Sequence, residues 1–182
     1  IKAHPYEHQR RAYEFACRLF GLTGHNPPPS RGVALLMEMG TGKSLTTIAV
    51  AGRLWLDGKI ERMLIVAPLS ILGVWQEEFQ KFADFLYSLA VLNGTGSRKS
   101  ENLRQIPTNG LQVAVINYES AWRLEDELAD WGADLIVCDE GHKIKTHNIA
   151  ASKSMHRLGA RARYRMLLTG TIITNKAIDV FS

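Results

Sequence analysis

Val33-Ala34-Leu35-Leu36-Met37-Glu38-Met39-Gly40-Thr41-Gly42-Lys43-Ser44 runs from an unbroken apolar segment through two glycines into a lysine and a serine. The segment Val33–Met37 predicts a buried strand, and the helical spacing of apolar residues from Lys43 to Trp55 predicts a helix directly behind the glycines. Strand, glycine turn and helix in that order form the context that a phosphate-binding loop requires. Gly40 and Gly42 allow backbone conformations that turn successive N–H groups inward, and the positive end of the following helix favours phosphate oxygens. Lys43 would reach the β- and γ-phosphates, and Ser44 would offer its hydroxyl to Mg²⁺. Thr41 completes the loop. Met37 occupies the place of the leading glycine in the eight-residue pattern. The plainer reading, a glycine turn capped by a surface lysine, does not explain why a strand precedes it and a helix follows.

Working outward, further apolar runs at Arg62–Ala67, Leu86–Leu92, Leu111–Ile116, Asp134–Cys138 and Tyr164–Leu168 read as strands. Between them lie amphipathic segments that read as helices: Leu69–Phe82, a short one near Ser97–Gln105, Tyr118–Asp130 and Ala150–Leu158. A first helix, Glu7–Phe20, precedes the phosphate loop, and Gly21 with Gly24 stops it. His25-Asn26-Pro27-Pro28-Pro29-Ser30 is a loop, because its prolines fix the backbone and remove donors. Alternating strands and helices imply a doubly wound α/β domain with a mostly parallel sheet, whose ligands belong at the carboxyl ends of the strands.

Leu135-Ile136-Val137-Cys138-Asp139-Glu140-Gly141-His142 is an apolar strand that ends in two carboxylates. Alone, an Asp-Glu pair is most simply a charge pair at a helix N-terminus. Beside a phosphate loop it takes another meaning, because phosphoryl transfer needs a metal-holding carboxylate and a group that orients water. Asp139 would hold Mg²⁺, Glu140 would polarise the attacking water, and His142 would relay the state of the phosphate to its neighbours.

With 182 residues, 46% of them hydrophobic and 22% charged, the chain has the balance of one globular domain with a full core. The net charge of +4 is compatible with a polyanionic partner without demonstrating one. Cys17 and Cys138 both sit in apolar stretches and read as structural thiols in a reducing compartment. No apolar run approaches the length of a membrane span, so the expectation is a soluble, intracellular protein, cytoplasmic or nucleoid-associated. The start at Ile1 and the apolar end at Ile178–Ser182 suggest a piece of a longer protein. Trp55, Trp75, Trp122 and Trp131 read as packing residues.

Taken together these residues resemble the SWI/SNF-type ATPases of helicase superfamily 2. Pro5-Tyr6-Glu7-His8-Gln9 is similar to the family's adenine-recognising segment, with Gln9 in the position that reads the base edge. Leu64–Phe79, with its Pro68-Leu69-Ser70 and Trp75-Gln76, resembles the family's motif Ia, and Asn117-Tyr118-Glu119 resembles motif Ib. Asp139-Glu140-Gly141-His142-Lys143-Ile144-Lys145 resembles the acidic motif II with a basic extension, Gly141 standing where the family commonly has alanine. Leu168-Thr169-Gly170-Thr171-Ile172 resembles motif III, with Ile172 in place of the usual proline. The resemblance implies a three-layer, RecA-like P-loop NTPase domain over residues 1–182, the first lobe of a two-lobe, DNA-dependent ATPase and translocase using ATP and Mg²⁺. It further implies that Ser70, Tyr118, Lys143 and Lys145 grip the phosphate backbone of DNA without reading sequence, and that Thr169, Gly170 and Thr171 couple hydrolysis to that grip. The basic run Lys153, His156, Arg157, Arg161, Arg163 and Arg165 is either part of the same footprint or a solvated helix face. A nucleotide-gated scaffold and a strand-separating helicase are the alternative readings.

Overall fold

The computed structural model describes residues 1–24, 30–140 and 149–170. Six strands run in the order β1-β6-β5-β2-β4-β3. They are β1 (Gly32–Leu36), β2 (Arg62–Ala67), β3 (Tyr87–Val91), β4 (Leu111–Asn117), β5 (Leu135–Asp139) and β6 (Tyr164–Thr169). Every pairing between them is parallel. Each lies within one or two residues of the segment that the apolar runs mark in the sequence.

Alternation along the strands sorts side chains onto two faces, as period-two geometry demands. In β2, Met63, Ile65 and Ala67 enter one core and Leu64 and Val66 the other. Helices α1 (Glu7–Leu19), α2 (Lys43–Leu56) and α3 (Leu72–Phe82) supply Ala16, Ile48, Leu54, Trp75 and Phe79 to the first core. Helices α4 (Gly96–Arg104), α5 (Tyr118–Arg123), α6 (Glu125–Trp131) and α7 (Ile149–Arg161) bring Leu103, Ala121, Leu128, Met155 and Leu158 to the second. A sheet buried on both faces explains why its strands read as near-continuous apolar runs. The result is the three-layer α/β architecture expected from the sequence.

Two helices are shorter than their periodicity suggests. The segment expected as one helix over Leu69–Phe82 opens with a 3-10 turn, Leu69–Ile71, and becomes α-helical only at Leu72. Pro68 stands in an extended conformation before the turn, and Ile71, at φ −117°, departs from helical geometry. The segment Tyr118–Asp130 divides into α5 and α6 at Leu124, which has φ −110° and ψ 26°. Leu124 is buried in the second core, so packing overrides a helical pattern that would have carried on.

Both cysteines are free, Cys17 buried and Cys138 half-buried, and burial raises the pKa of each thiol. Among the described residues no helix is long and apolar enough to cross a membrane.

Candidate nucleotide site

The phosphate loop leaves the carboxyl end of β1 and delivers the chain to α2, whose first residue is Lys43. Gly40 and Gly42 have φ of 77° and 94°, the left-handed region that glycine enters without a steric penalty. Lys43 Nζ turns back over the loop and donates to the carbonyl oxygens of Met37 at 2.9 Å and Glu38 at 3.1 Å. Thr41 Oγ1 donates to the Glu38 carbonyl at 2.7 Å. Ser44 is half-buried in the first turn of α2.

Gln9 touches this loop from α1. Its Nε2 donates to the Thr41 carbonyl at 3.0 Å, and its Oε1 accepts from the Tyr6 backbone N–H at 2.9 Å. The amide lies so close to Gly42 that a Cβ built on that glycine would stand 2.2 Å from Gln9 Nε2. Gly42→Ala therefore combines a left-handed backbone with displacement of a buried glutamine. The expected loss is about 1–2 kcal/mol, a few degrees in Tm. A thermal melt checks it, and a gain in stability, as alanine gives where the backbone tolerates it, contradicts the local geometry. Beside Gln9 a cavity of about 530 Å³ opens between α1 and α2, lined by Tyr13, Leu45 and Thr46 among others. Thr46 Oγ1 is buried at its wall with no hydrogen-bond partner among the described residues.

Asp139 ends β5 and is 8% exposed. Its Oδ2 accepts from Trp75 Nε1 at 3.1 Å and its Oδ1 from the backbone N–H of Glu140 at 2.9 Å. Burial raises its pKa, while the two N–H donors and the Lys43 charge pull it down. Because β1 and β5 both run parallel to β6 and flank it, the loop after β1 and the acid that ends β5 lie at the same edge of the sheet. Glu140, at φ 52°, adopts a left-handed conformation unusual for a residue with a side chain, and such positions cluster at functional sites.

β6 lies between β1 and β5. Thr169 is buried, and its carbonyl accepts from the Met37 N–H at 3.1 Å. A Cβ on Gly170 would lie 3.4 Å from Met39 N and 3.5 Å from Lys43 Nζ. Thr169 and Gly170 are thus packed against the phosphate loop. Ser70 is exposed in the turn after β2, and Tyr118 opens α5 directly after β4. Tyr118 donates its hydroxyl to the Asp139 carbonyl at 2.7 Å, and burial, with neighbouring negative charge, holds its pKa well above the usual phenol value. His142, Lys143, Lys145, Thr171 and Ile172 lie outside the described residues.

The groups that Asp139 and Ser44 can offer a metal are both oxygen ligands, a carboxylate and a hydroxyl. Among the described residues no three His, Cys, Asp or Glu side chains converge into a metal cage. Mg²⁺ is commonly held by one or two carboxylates together with substrate phosphates, and this sparse oxygen set fits it. Trp75, read from the sequence as a packing residue, is indeed buried in the core, but its indole N–H is spent on the site. The signal was the Trp75-Gln76 continuation of the segment after β2. Of the basic run, Arg157 pairs with Glu125 through Nε and Nη2 on the face where α7 meets α6, and Arg163 Nη1 donates to the Lys59 carbonyl at 3.0 Å.

Comparison with known proteins places these features in context. The profile described as the SNF2-related domain matches residues 8–182. A probable chromatin-remodeling complex ATPase chain from Oryza sativa subsp. japonica is 32% identical over 146 residues, which is 80% of this chain and 13% of that protein. The human DNA repair and recombination protein RAD54B is 32% identical over 157 residues, 83% of this chain and 17% of that protein. The chain therefore spans less than a fifth of the length of either relative. The structure of the Sulfolobus solfataricus SWI2/SNF2 ATPase core in complex with dsDNA superimposes with a TM-score of 0.78 at 29% identity, covering 98% of this chain and 34% of that one.

Proposed function

This chain belongs to the SNF2-related domain family, and on that premise we propose that it is the ATP-binding lobe of a motor that couples ATP hydrolysis to movement along double-stranded DNA. The observation that carries the reading is the sheet order, in which β6 alone separates β1, whose carboxyl end leads to the loop with Lys43, from the parallel β5, which ends in Asp139. The relatives that share the sequence act, by their names, in chromatin remodeling and DNA repair, and the structural neighbour was solved on dsDNA.

In this reading the backbone N–H groups from Gly40 to Ser44 receive the β- and γ-phosphates, helped by the positive end of α2. Lys43 leaves the Met37 and Glu38 carbonyls and turns its ammonium onto the phosphates. The adenine base lies in the cavity beside Gln9, which keeps one N–H and one lone pair for the base edge. Ser44 and Asp139 would hold Mg²⁺, which when bound neutralises charge on the transferring phosphoryl group. Glu140 accepts the proton of the attacking water, and His142 passes the state of the phosphate outward. The Tyr118 hydroxyl, expected from the sequence at the DNA, is given to the Asp139 carbonyl instead. Thr169, Gly170 and Thr171 link the two activities, and Ser70, Lys143 and Lys145 would contact the DNA phosphates. Phosphate contacts of this kind do not read sequence.

Completion of the site falls to a second RecA-like lobe, which would bring an arginine to the transition state. Such groups contribute about a thousandfold or more in rate. Residues 1–182 alone are therefore expected to hydrolyse ATP negligibly with or without DNA. The test of the reading is steady-state ATP hydrolysis by the complete protein, with duplex DNA titrated at several salt concentrations. Strong stimulation that fades steeply with salt supports it. Nucleotide binding with no response to DNA would instead mark a scaffold, and robust DNA-stimulated turnover by residues 1–182 alone would remove the requirement for a second lobe.

A further inference from the structure

We propose that Trp75 and Tyr118 are positioning residues that fix Asp139 from two sides and thereby set the protein's affinity for nucleotide-bound Mg²⁺. The inference rests on the nucleotide-site reading above. It begins with two groups that need one another. An indole offers a single donor and no acceptor, and Trp75 is 2% exposed in the core between α3 and the sheet. A buried carboxylate needs donors to offset the loss of water. The Nε1–Oδ2 contact at 3.1 Å satisfies both.

Satisfaction alone would not require a third bond, yet the Tyr118 hydroxyl reaches the carbonyl of the same residue at 2.7 Å. With the Glu140 N–H on Oδ1, the aspartate is held at both carboxylate oxygens and at its backbone. Rotation about its side-chain torsions would break at least one of these bonds. The carboxylate is thus oriented before any ligand arrives, with its remaining lone pairs available to a cation or to metal-bound water. Trp75 belongs to α3, behind β2, and Tyr118 to α5, behind β4, so two elements of the sheet's far half reach back to the residue that would hold the metal. Partners that orient a metal-binding carboxylate typically change metal affinity about 10–100-fold when removed.

Trp75→Phe keeps an aromatic ring in the core and deletes the donor, and Tyr118→Phe removes one oxygen. The measurement, on the complete protein, is the affinity for a fluorescent ATP analogue in EDTA and again across a Mg²⁺ titration, with a thermal melt of each variant. For Trp75→Phe the Mg²⁺ concentration giving half-maximal enhancement of binding should rise about tenfold, against a much smaller change in EDTA. Tyr118→Phe should shift it in the same direction by a smaller factor. Equal losses with and without Mg²⁺, accompanied by a lower Tm, would mean that both aromatics only pack, and would overturn the proposal. An unchanged Mg²⁺ requirement in Trp75→Phe overturns it as well. Should Trp75→Phe not fold, Tyr118→Phe decides by the same criterion. Asp139→Asn separates the two levels. If that variant leaves the Mg²⁺ requirement untouched, the nucleotide-site reading itself has failed. If Asp139→Asn shifts the requirement and the aromatic variants do not, only the positioning role is lost.

Discussion

Lys43→Ala is expected to lower ATP affinity at least about a hundredfold, on the order of 3 kcal/mol. The Lys43 ammonium already sits on two of the loop's carbonyls. A triphosphate arriving there would exchange these for charge-assisted bonds, which are shorter and stronger. Alanine removes that partner and leaves the phosphate charge to backbone amides alone. Stability should change little, because Glu38 is exposed and Met37 only half-buried, so water can serve their carbonyls. Calorimetric or fluorescence titration of the complete protein checks the expectation. Affinity equal to the parent's would remove the phosphate-loop assignment, and the motor reading would go with it.

Glu140→Gln should separate binding from chemistry. The side chain keeps its length and a neutral amide replaces the carboxylate, so nucleotide should still bind while kcat falls about a thousandfold, within the range for loss of a general base. Glutamine meets the same left-handed backbone at φ 52° that glutamate tolerates, so no new strain accompanies the change. Single-turnover hydrolysis alongside nucleotide binding is the measurement. A variant that hydrolyses at the parent's rate would show that Glu140 does not handle the water. One that loses binding as well would show that it holds the ligand or the loop instead.

The segments that build this candidate site are legible in the sequence for a physical reason. The phosphate loop and the acidic pair are contiguous in sequence, and each ends an apolar run, so local pattern suffices to find them and topology alone brings them together. The strands were legible because both faces of the sheet are covered, which leaves unbroken runs such as Met63–Ala67 with charges only at the ends. The breaks at Ile71 and Leu124 were not, because each is a local departure of the backbone dihedrals that apolar spacing does not encode. Trp75 was seen only as core, since an aromatic on an amphipathic helix is fully explained by burial, and its acceptor lies 64 residues away. The resemblance assigns Gln9 to the base, whereas what the structure shows is its bond to Thr41, which no spacing rule reveals.

The placement of β6 carries one more consequence. It is flanked by the strand that launches the phosphate loop and the strand that ends in Asp139, with Leu36 beside Thr169 on one flank and Asp139 beside Leu168 on the other. Its terminal carbonyl bonds Met37, and Gly170 abuts Met39 and Lys43. The end of β6 is therefore tied to the loop after β1 by a backbone bond and by close approach, so a shift of Thr169 and Gly170 cannot leave Met37, Met39 and Lys43 where they are.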